Sequence, residues 1–170
     1  MDLAKMIRDV PDFPKKGIIF KDITTLIKDP EGFREAVDVL ADHYTGQEID
    51  LVAAVEARGY IFGAPIAYKL GAGFIPVRKA GKLPAATVVE EYELEYGTDS
   101  VEMHRDAIEP GQKILIVDDL IATGGSAVAT ARLVEMLGGE VVGIAFLIEL
   151  TFLKGVEKLK GYDVFTVIEY

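Results

Sequence analysis

Residues 114–126, Ile-Leu-Ile-Val-Asp-Asp-Leu-Ile-Ala-Thr-Gly-Gly-Ser, constrain the fold of this chain more than any other stretch. Four consecutive apolar residues predict a strand over 113–117 that is buried on both faces, as strands of parallel sheets are. Two adjacent acids, Asp118 and Asp119, stand at its carboxyl end, and a small glycine-containing turn follows. From Ser126 onward Ala127, Val128, Ala131, Leu133, Val134 and Leu137 recur at helical spacing, and Gly138-Gly139 marks the helix end. A strand–turn–helix unit aims backbone N–H groups and the positive end of the helix dipole at one point, which suits a phosphate. Thr123 and Ser126 add hydroxyl donors, while Gly124 and Gly125 let an anion approach the main chain.

The turn is neither of the two common phosphate loops: no Lys follows its last Gly, and no GxGxxG is present. What sets it apart is the acid pair just before it. Carboxylates beside a phosphate repel it unless they face hydroxyls or a cation. A ribose carrying a 5-phosphate meets both requirements, with its phosphate on Ala122, Thr123, Gly124, Gly125 and Ser126 and its 2- and 3-hydroxyls on Asp118 and Asp119. A core strand ending in a solvated Asp-Asp turn is the simpler alternative. All thirteen residues resemble the phosphoribosyl pyrophosphate (PRPP) motif of the type I phosphoribosyltransferase family.

Composition limits the partners. The net charge of −10 over 170 residues argues against nucleic acid, whose binders carry a basic face. The densest basic cluster is Arg78-Lys79-Ala80-Gly81-Lys82, directly after an apolar strand, where it is either a solvated loop or the local cationic patch that a polyanionic substrate needs. Cysteine is absent, so disulfides and thiolate metal sites are excluded. The first residues lack the apolar run of a signal peptide, and no uncharged stretch approaches the roughly 20 residues of a membrane span. A cytoplasmic protein without nucleic-acid or membrane partners is expected. The two histidines, His43 and His104, have no metal-site spacing and are expected at the surface.

Along the chain, apolar and helical periods alternate. Leu3–Val10 predicts a short amphipathic helix, and Pro30–Tyr44 a longer one. Leu51–Val55 predicts a buried strand and Gly59–Leu70 a helix closed by Gly71. Phe74–Val77 is the next strand. Thr87–Tyr96 alternates side to side as an antiparallel flap, with Val101–His104 as its return, and Val141–Ile148 and Asp163–Ile168 complete the strands. The expected fold is α/β: one domain over 1–170 with a doubly wound, mainly parallel sheet flanked by helices. Its ligand crevice should lie beyond the strand carboxyl ends. That rule gathers Glu56-Ala57-Arg58-Gly59, Arg78-Lys79, Asp118–Ser126 and Glu149-Leu150-Thr151 at one crevice.

Four further blocks resemble the adenine-specific branch of the family. They are Phe20-Lys21-Asp22-Ile23-Thr24-Thr25-Leu26, Glu56-Ala57-Arg58-Gly59-Tyr60-Ile61-Phe62-Gly63, Val77-Arg78-Lys79 with Gly81-Lys82-Leu83-Pro84, and Glu93-Leu94-Glu95-Tyr96-Gly97. The resemblance implies purine salvage, in which adenine and PRPP give AMP and pyrophosphate. Mg²⁺ is implied as cofactor, carried mainly by substrate oxygens with no protein ligand set. A homodimer is implied as well. It implies an N-terminal hood over 1–30, a flexible β lid over 79–105, and Glu95 as catalytic acid/base. Pyrophosphate is assigned to Ala57, Arg58, Gly59, Arg78, Lys79 and Tyr96, and adenine to Ile19, Phe20, Lys21 and Leu150. By residue type alone, Phe20 after Ile18-Ile19 fits a core position better than a ligand contact, and Glu91 and Glu93 fit the solvated side of a hairpin. Transfer to xanthine or hypoxanthine and a non-catalytic PRPP sensor are the competing readings. The first lacks support in the 19–26 and 93–97 blocks. The second requires a basic face that this acidic chain does not offer.

Overall fold

The computed structural model describes residues 1–94 and 97–170, so the expected acid/base Glu95 and the pyrophosphate residue Tyr96 lie outside the described residues. Two compact units are present, Met1–Val39 and Leu40–Tyr170.

In the larger unit, the apolar runs form one sheet of strands β3 (Leu51–Val55), β4 (Gly73–Lys79), β5 (Thr87–Leu94), β6 (Gly97–His104), β7 (Lys113–Ile121), β8 (Glu140–Glu149) and β9 (Val164–Glu169). Their spatial order is β5-β6-β4-β3-β7-β8-β9. The five strands from β4 to β9 in that order are parallel, as their unbroken apolar character requires. Helix α3 (Arg58–Leu70) carries the chain from β3 outward to β4, and α4 (Gly125–Met136) carries it from β7 outward the other way to β8. Strand order therefore reverses between β3 and β7, and a crevice opens there at the carboxyl ends. This is the predicted doubly wound sheet. The helix ends follow the glycine punctuation, with Gly71 at φ +69° closing α3 and Gly138 at φ +85° following α4.

Strand β7 runs four residues past the expected end. It pairs with β3 only as far as Val117 opposite Ala54, yet stays paired with β8 to Ile121 opposite Glu149. Asp118 and Asp119 thus sit inside a strand whose β3 side has already opened, rather than in a turn. The apolar core joins Val55, Val77, Ile114, Ile116, Leu133, Val134, Ile144 and Phe146 beneath that opening.

The hairpin of β5 and β6 extends one edge of the sheet, antiparallel as the alternating pattern predicts. Among the described residues it pairs with the parallel strands at Arg78 opposite Glu102 and Lys79 opposite Val101.

In the smaller unit the expected helix over 3–10 does not form. A 3₁₀ turn spans Leu3–Met6, and the chain then extends as β1 (Arg8–Pro11) against β2 (Ile19–Asp22). The helical spacing of Leu3, Met6 and Val10 is outweighed by cross-strand partners. Val10 pairs with Phe20, Arg8 Nε donates to Asp22 at 3.0 Å, and Lys21 Nζ reaches Asp9 at 2.7 Å. Short helix α1 (Thr24–Ile27) follows. Helix α2 (Pro30–His43) starts where Asp29 accepts the N–H groups of Glu31 and Gly32, and it runs across the division at Val39.

Candidate active site

The turn over 122–126, expected to hold a phosphate, is built by glycine against glycine. Gly124 has φ +88°, and a Cβ there would lie 2.7 Å from the carbonyl oxygen of Gly155. A Cβ on Gly155 would collide in turn with the carbonyl oxygen of Ala122. The loop 122–124 thus rests backbone on backbone against residue 155, which no local signal in the sequence foretold. Helix α4 begins at Gly125, and its first internal bond runs from Val128 N–H to Gly124 O at 3.0 Å. The amides of Gly125, Ser126 and Ala127 precede that bond, so the helix itself offers them no acceptor.

Asp118 and Asp119 occupy different environments. Asp119 is only 4% exposed and pairs with Arg58 Nε at 3.0 Å. The carboxylate of Asp118 accepts the N–H of Asp119 at 2.8 Å. Loss of solvent, followed by the neighbouring charge of Asp119, pushes the Asp118 carboxyl well above the usual carboxylate range. Gly59, in the first turn of α3, is what makes room for it: a Cβ there would stand 2.9 Å from Asp118 Oδ1.

The basic cluster at the end of β4 is organised by Glu56. Its Oε2 accepts Arg78 Nε–H at 3.0 Å, and its Oε1 accepts the main-chain N–H of Lys79 at 2.9 Å and faces Lys82 Nζ at 3.4 Å. Burial opposes the Glu56 charge, but the Lys79 N–H and the Arg78 guanidinium outweigh it and hold the carboxyl below its usual value. The Glu56–Ala57 peptide is cis. Beyond it, the Lys79 ammonium meets the hairpin, donating to Tyr92 Oη at 2.5 Å and to Asp99 Oδ2 at 2.7 Å.

These groups converge on a cavity of about 380 Å³. Arg58, Lys79, Asp118, Asp119 and the turn Ala122–Ser126 all line it, as the sequence predicts. Val55, Glu56, Tyr92, Leu94 and Phe146 line it too, without a role assigned from sequence. For Tyr92 a signal existed: it alternates with the exposed Glu91 and Glu93 and therefore points inward. The Tyr92 ring rests over the start of α4, where a Cβ on Gly125 would come within 2.9 Å of it.

Other expected residues lie apart from that lining. Ala57 and Gly59 bracket Arg58 at the start of α3, and Arg78 is turned onto Glu56. Leu150 follows β8, its N–H donating to Ile121 O at 3.1 Å. Ile19, Phe20 and Lys21 belong to β2 of the smaller unit, with Phe20 edge-on to Phe13 at 5.2 Å and Ile19 exposed. Among the described residues there is no cluster of three or more side chains suited to bind a metal ion, and no helix is long and apolar enough to cross a membrane. His43 is exposed but stacks on Phe165 at 3.8 Å, and His104 Nε2 accepts from Ala85 N–H.

Residues 24–168 match the model of the phosphoribosyl transferase domain. The chain is 62% identical to the adenine phosphoribosyltransferase of Alkaliphilus metalliredigens, over all of both chains. It superposes with TM-score 0.97 on the crystal structure of adenine phosphoribosyltransferase from Thermoanaerobacter pseudethanolicus, at 58% identity and covering 99% of this chain and 98% of that one. The adenine phosphoribosyltransferase of Saccharomyces cerevisiae, complexed with an imino-altritol bisphosphate and adenine, superposes with TM-score 0.92 at 42% identity, covering 98% and 96%.

Proposed function

Because this chain belongs to the phosphoribosyl transferase family, we propose that it transfers the 5-phosphoribosyl group of PRPP to adenine in purine salvage, releasing pyrophosphate and forming AMP. The observation that carries this reading is the convergence, in one cavity, of the α4 N-terminus, the Asp118–Asp119 pair, Arg58 and Lys79.

Each part of that cavity answers a demand of the reaction. The bond between ribose C1 and pyrophosphate breaks as the bond from C1 to adenine nitrogen forms, and C1 gains positive charge between the two. The α4 amides, with Thr123 and Ser126, hold the 5-phosphate, while Asp118 and Asp119 take the ribose hydroxyls and so fix C1 in line. Arg58 and Lys79 face the polyanion that departs, with Ala57, Gly59, Arg78 and Tyr96 completing the pyrophosphate side. Glu95 is the catalytic acid/base at the adenine ring. The hood, 1–30, contributes Ile19, Phe20 and Lys21 to the base, and Leu150 offers it an apolar face. The lid, 79–105, keeps water from C1.

Mg²⁺ suits this donor set as an ion borne by substrate oxygens. Asp119 is already paired with Arg58, and the hard ion retains most of its ligands from phosphate and water. When bound, it supplies positive charge to the pyrophosphate. We place the chain in the cytoplasm as a homodimer, the second point being open to light scattering.

The decisive assay offers the purified protein PRPP, Mg²⁺ and one purine at a time. Adenine turnover well above that of hypoxanthine and xanthine is expected. Equal turnover of another purine would overturn the adenine assignment, and no turnover of any base would favour a PRPP-binding regulator.

A further inference from the structure

The cations around the crevice are matched by carboxylates of the same chain. Arg58 faces Asp119, Arg78 and Lys82 face Glu56, and Lys79 faces Asp99. The three carboxylates differ in how firmly they are set. The side chains of Asp119 and Glu56 are 6% and 11% exposed, whereas that of Asp99 is 38% exposed and reaches Lys79 from the hairpin. Asp99 stands directly across from Tyr92 in the β5–β6 register, so both present themselves on the face that meets Lys79. Tyr92 Oη is 3.3 Å from Asp99 Oδ2, and the lysine ammonium lies within reach of both.

We propose that Asp99 is a positioning residue for the reaction, an internal counterion that holds the Lys79 ammonium at the crevice wall and exchanges it with the incoming pyrophosphate group. This rests on the reading that Lys79 receives pyrophosphate. An ammonium has three donors, and here two are taken by the hairpin. A polyanion arriving at Lys79 must share or displace a carboxylate 2.7 Å away, and that carboxylate repels it. The half-exposed pair is of the kind that contributes little net stability, so it yields to a multiply charged ligand where a deeply buried bridge would not. The same competition returns Lys79 to Asp99 when pyrophosphate leaves. Asp99 thereby weakens pyrophosphate binding and favours its release, and through Tyr92 it ties the hairpin to the crevice wall. Sequence analysis assigned no role to Asp99 or Tyr92.

The test is calorimetric titration of inorganic pyrophosphate, at fixed Mg²⁺ and salt, into the full chain and its Asp99→Asn, Asp99→Glu and Lys79→Ala variants. Asp99→Asn is expected to bind pyrophosphate about two- to fivefold more tightly, the range set by a half-exposed ion pair. The gain should grow at low ionic strength. Asp99→Glu should return affinity toward that of the parent chain. A merely structural residue cannot give this result, because a disturbed site loosens its ligand; thermal unfolding of each variant verifies that the fold is kept. Unchanged or weaker binding by Asp99→Asn, with Lys79→Ala weakening it, overturns the role of Asp99 and leaves Lys79 in place. Unchanged binding by Lys79→Ala overturns both.

Discussion

Gly59 and Asp118 meet where the first turn of α3 packs on β7, so closely that any side chain on the first would occupy the space of the second's carboxylate: a Cβ on Gly59 would stand 2.9 Å from Asp118 Oδ1 and 3.4 Å from the carbonyl oxygen of Val117. On the proposed assignment of Asp118 to the ribose, the glycine of the Ala57-Arg58-Gly59 turn bears on the ribose side of the site as well as the pyrophosphate side. Gly59→Ala should fold, because the nearest atom belongs to a side chain that can rotate. Rotation gives up the Asp118 bond to Asp119 N–H, worth about 1 kcal/mol, so PRPP affinity should fall roughly fivefold. Equilibrium binding of PRPP measures it.

Asp118→Asn should separate stability from function. The carboxyl of Asp118 is pushed up by desolvation and by Asp119, so the folded chain binds this proton more readily than the unfolded chain. For a raised acid the favourable contribution is present below the unfolded value near 3.8 and is lost as pH rises through the folded value. Toward neutral pH this buried acid is thus a cost to the fold. Asparagine removes it while keeping an acceptor for Asp119 N–H. The unfolding midpoint at pH 7 should rise by about 2–4 °C, with a smaller difference near pH 4, while PRPP affinity drops. Scanning calorimetry at both pH values, with a PRPP titration, tests both halves.

Gly155→Ala addresses a residue remote from the motif in sequence. Its Cβ would collide with Ala122 O, a backbone atom that cannot rotate away, so the phosphate turn must shift. A loss of about 1–3 kcal/mol in stability is expected, as for other overpacked sites. Affinity for AMP, which keeps the 5-phosphate but no pyrophosphate, should fall roughly tenfold or more, and pyrophosphate affinity should change little. Paired titrations of the two ligands discriminate the shifted turn from general damage.

Glu95→Gln should lower turnover by roughly 10²-fold or more with only modest loss of PRPP affinity, if a proton moves at the adenine ring through this carboxyl. Steady-state kinetics with PRPP binding measured separately is the relevant comparison, and an unchanged rate would remove Glu95 from the catalytic role.

The smaller unit carries its own pH signature. Asp22 accepts Thr24 N–H at 2.9 Å and Arg8 Nε–H at 3.0 Å, and these hold its carboxyl down to about 2. For a depressed acid the contribution is present above the unfolded value of 3.8 and is lost as pH falls through about 2. Asp22→Ala should therefore destabilise the chain by about 1 kcal/mol at pH 7, the usual net worth of a lost hydrogen bond on a largely solvated group, and by much less near pH 2. Chemical unfolding at the two pH values gives the comparison.

Much of this was legible without coordinates, and the reason is locality. Apolar runs and glycine stops depend on neighbours a few residues apart, so β3, α2, α3, α4 and the β5–β6 hairpin were placed to within a few residues. The glycine turn before α4 is a local motif as well, and it stands where the sequence expects it. The same locality explains the error at 3–10. The apolar spacing there fits a helix, while the partners that extend the chain, Phe20 and Asp22 on β2, are distant in sequence.

By itself the sequence determined the parallel α/β sheet, the strand–turn–helix unit at 114–126 and the family to which those residues belong. Tertiary structure alone decided how far β7 runs past β3 and so where Asp118 and Asp119 stand, which glycine backs the phosphate turn, and which carboxylate each cation meets. Charges carry no partner in their sequence. Glu56, Asp99 and Asp119 look alike as acids in an acidic chain, and only the crossing of β3, β4, β6 and β7 brings them to Arg78, Lys79 and Arg58.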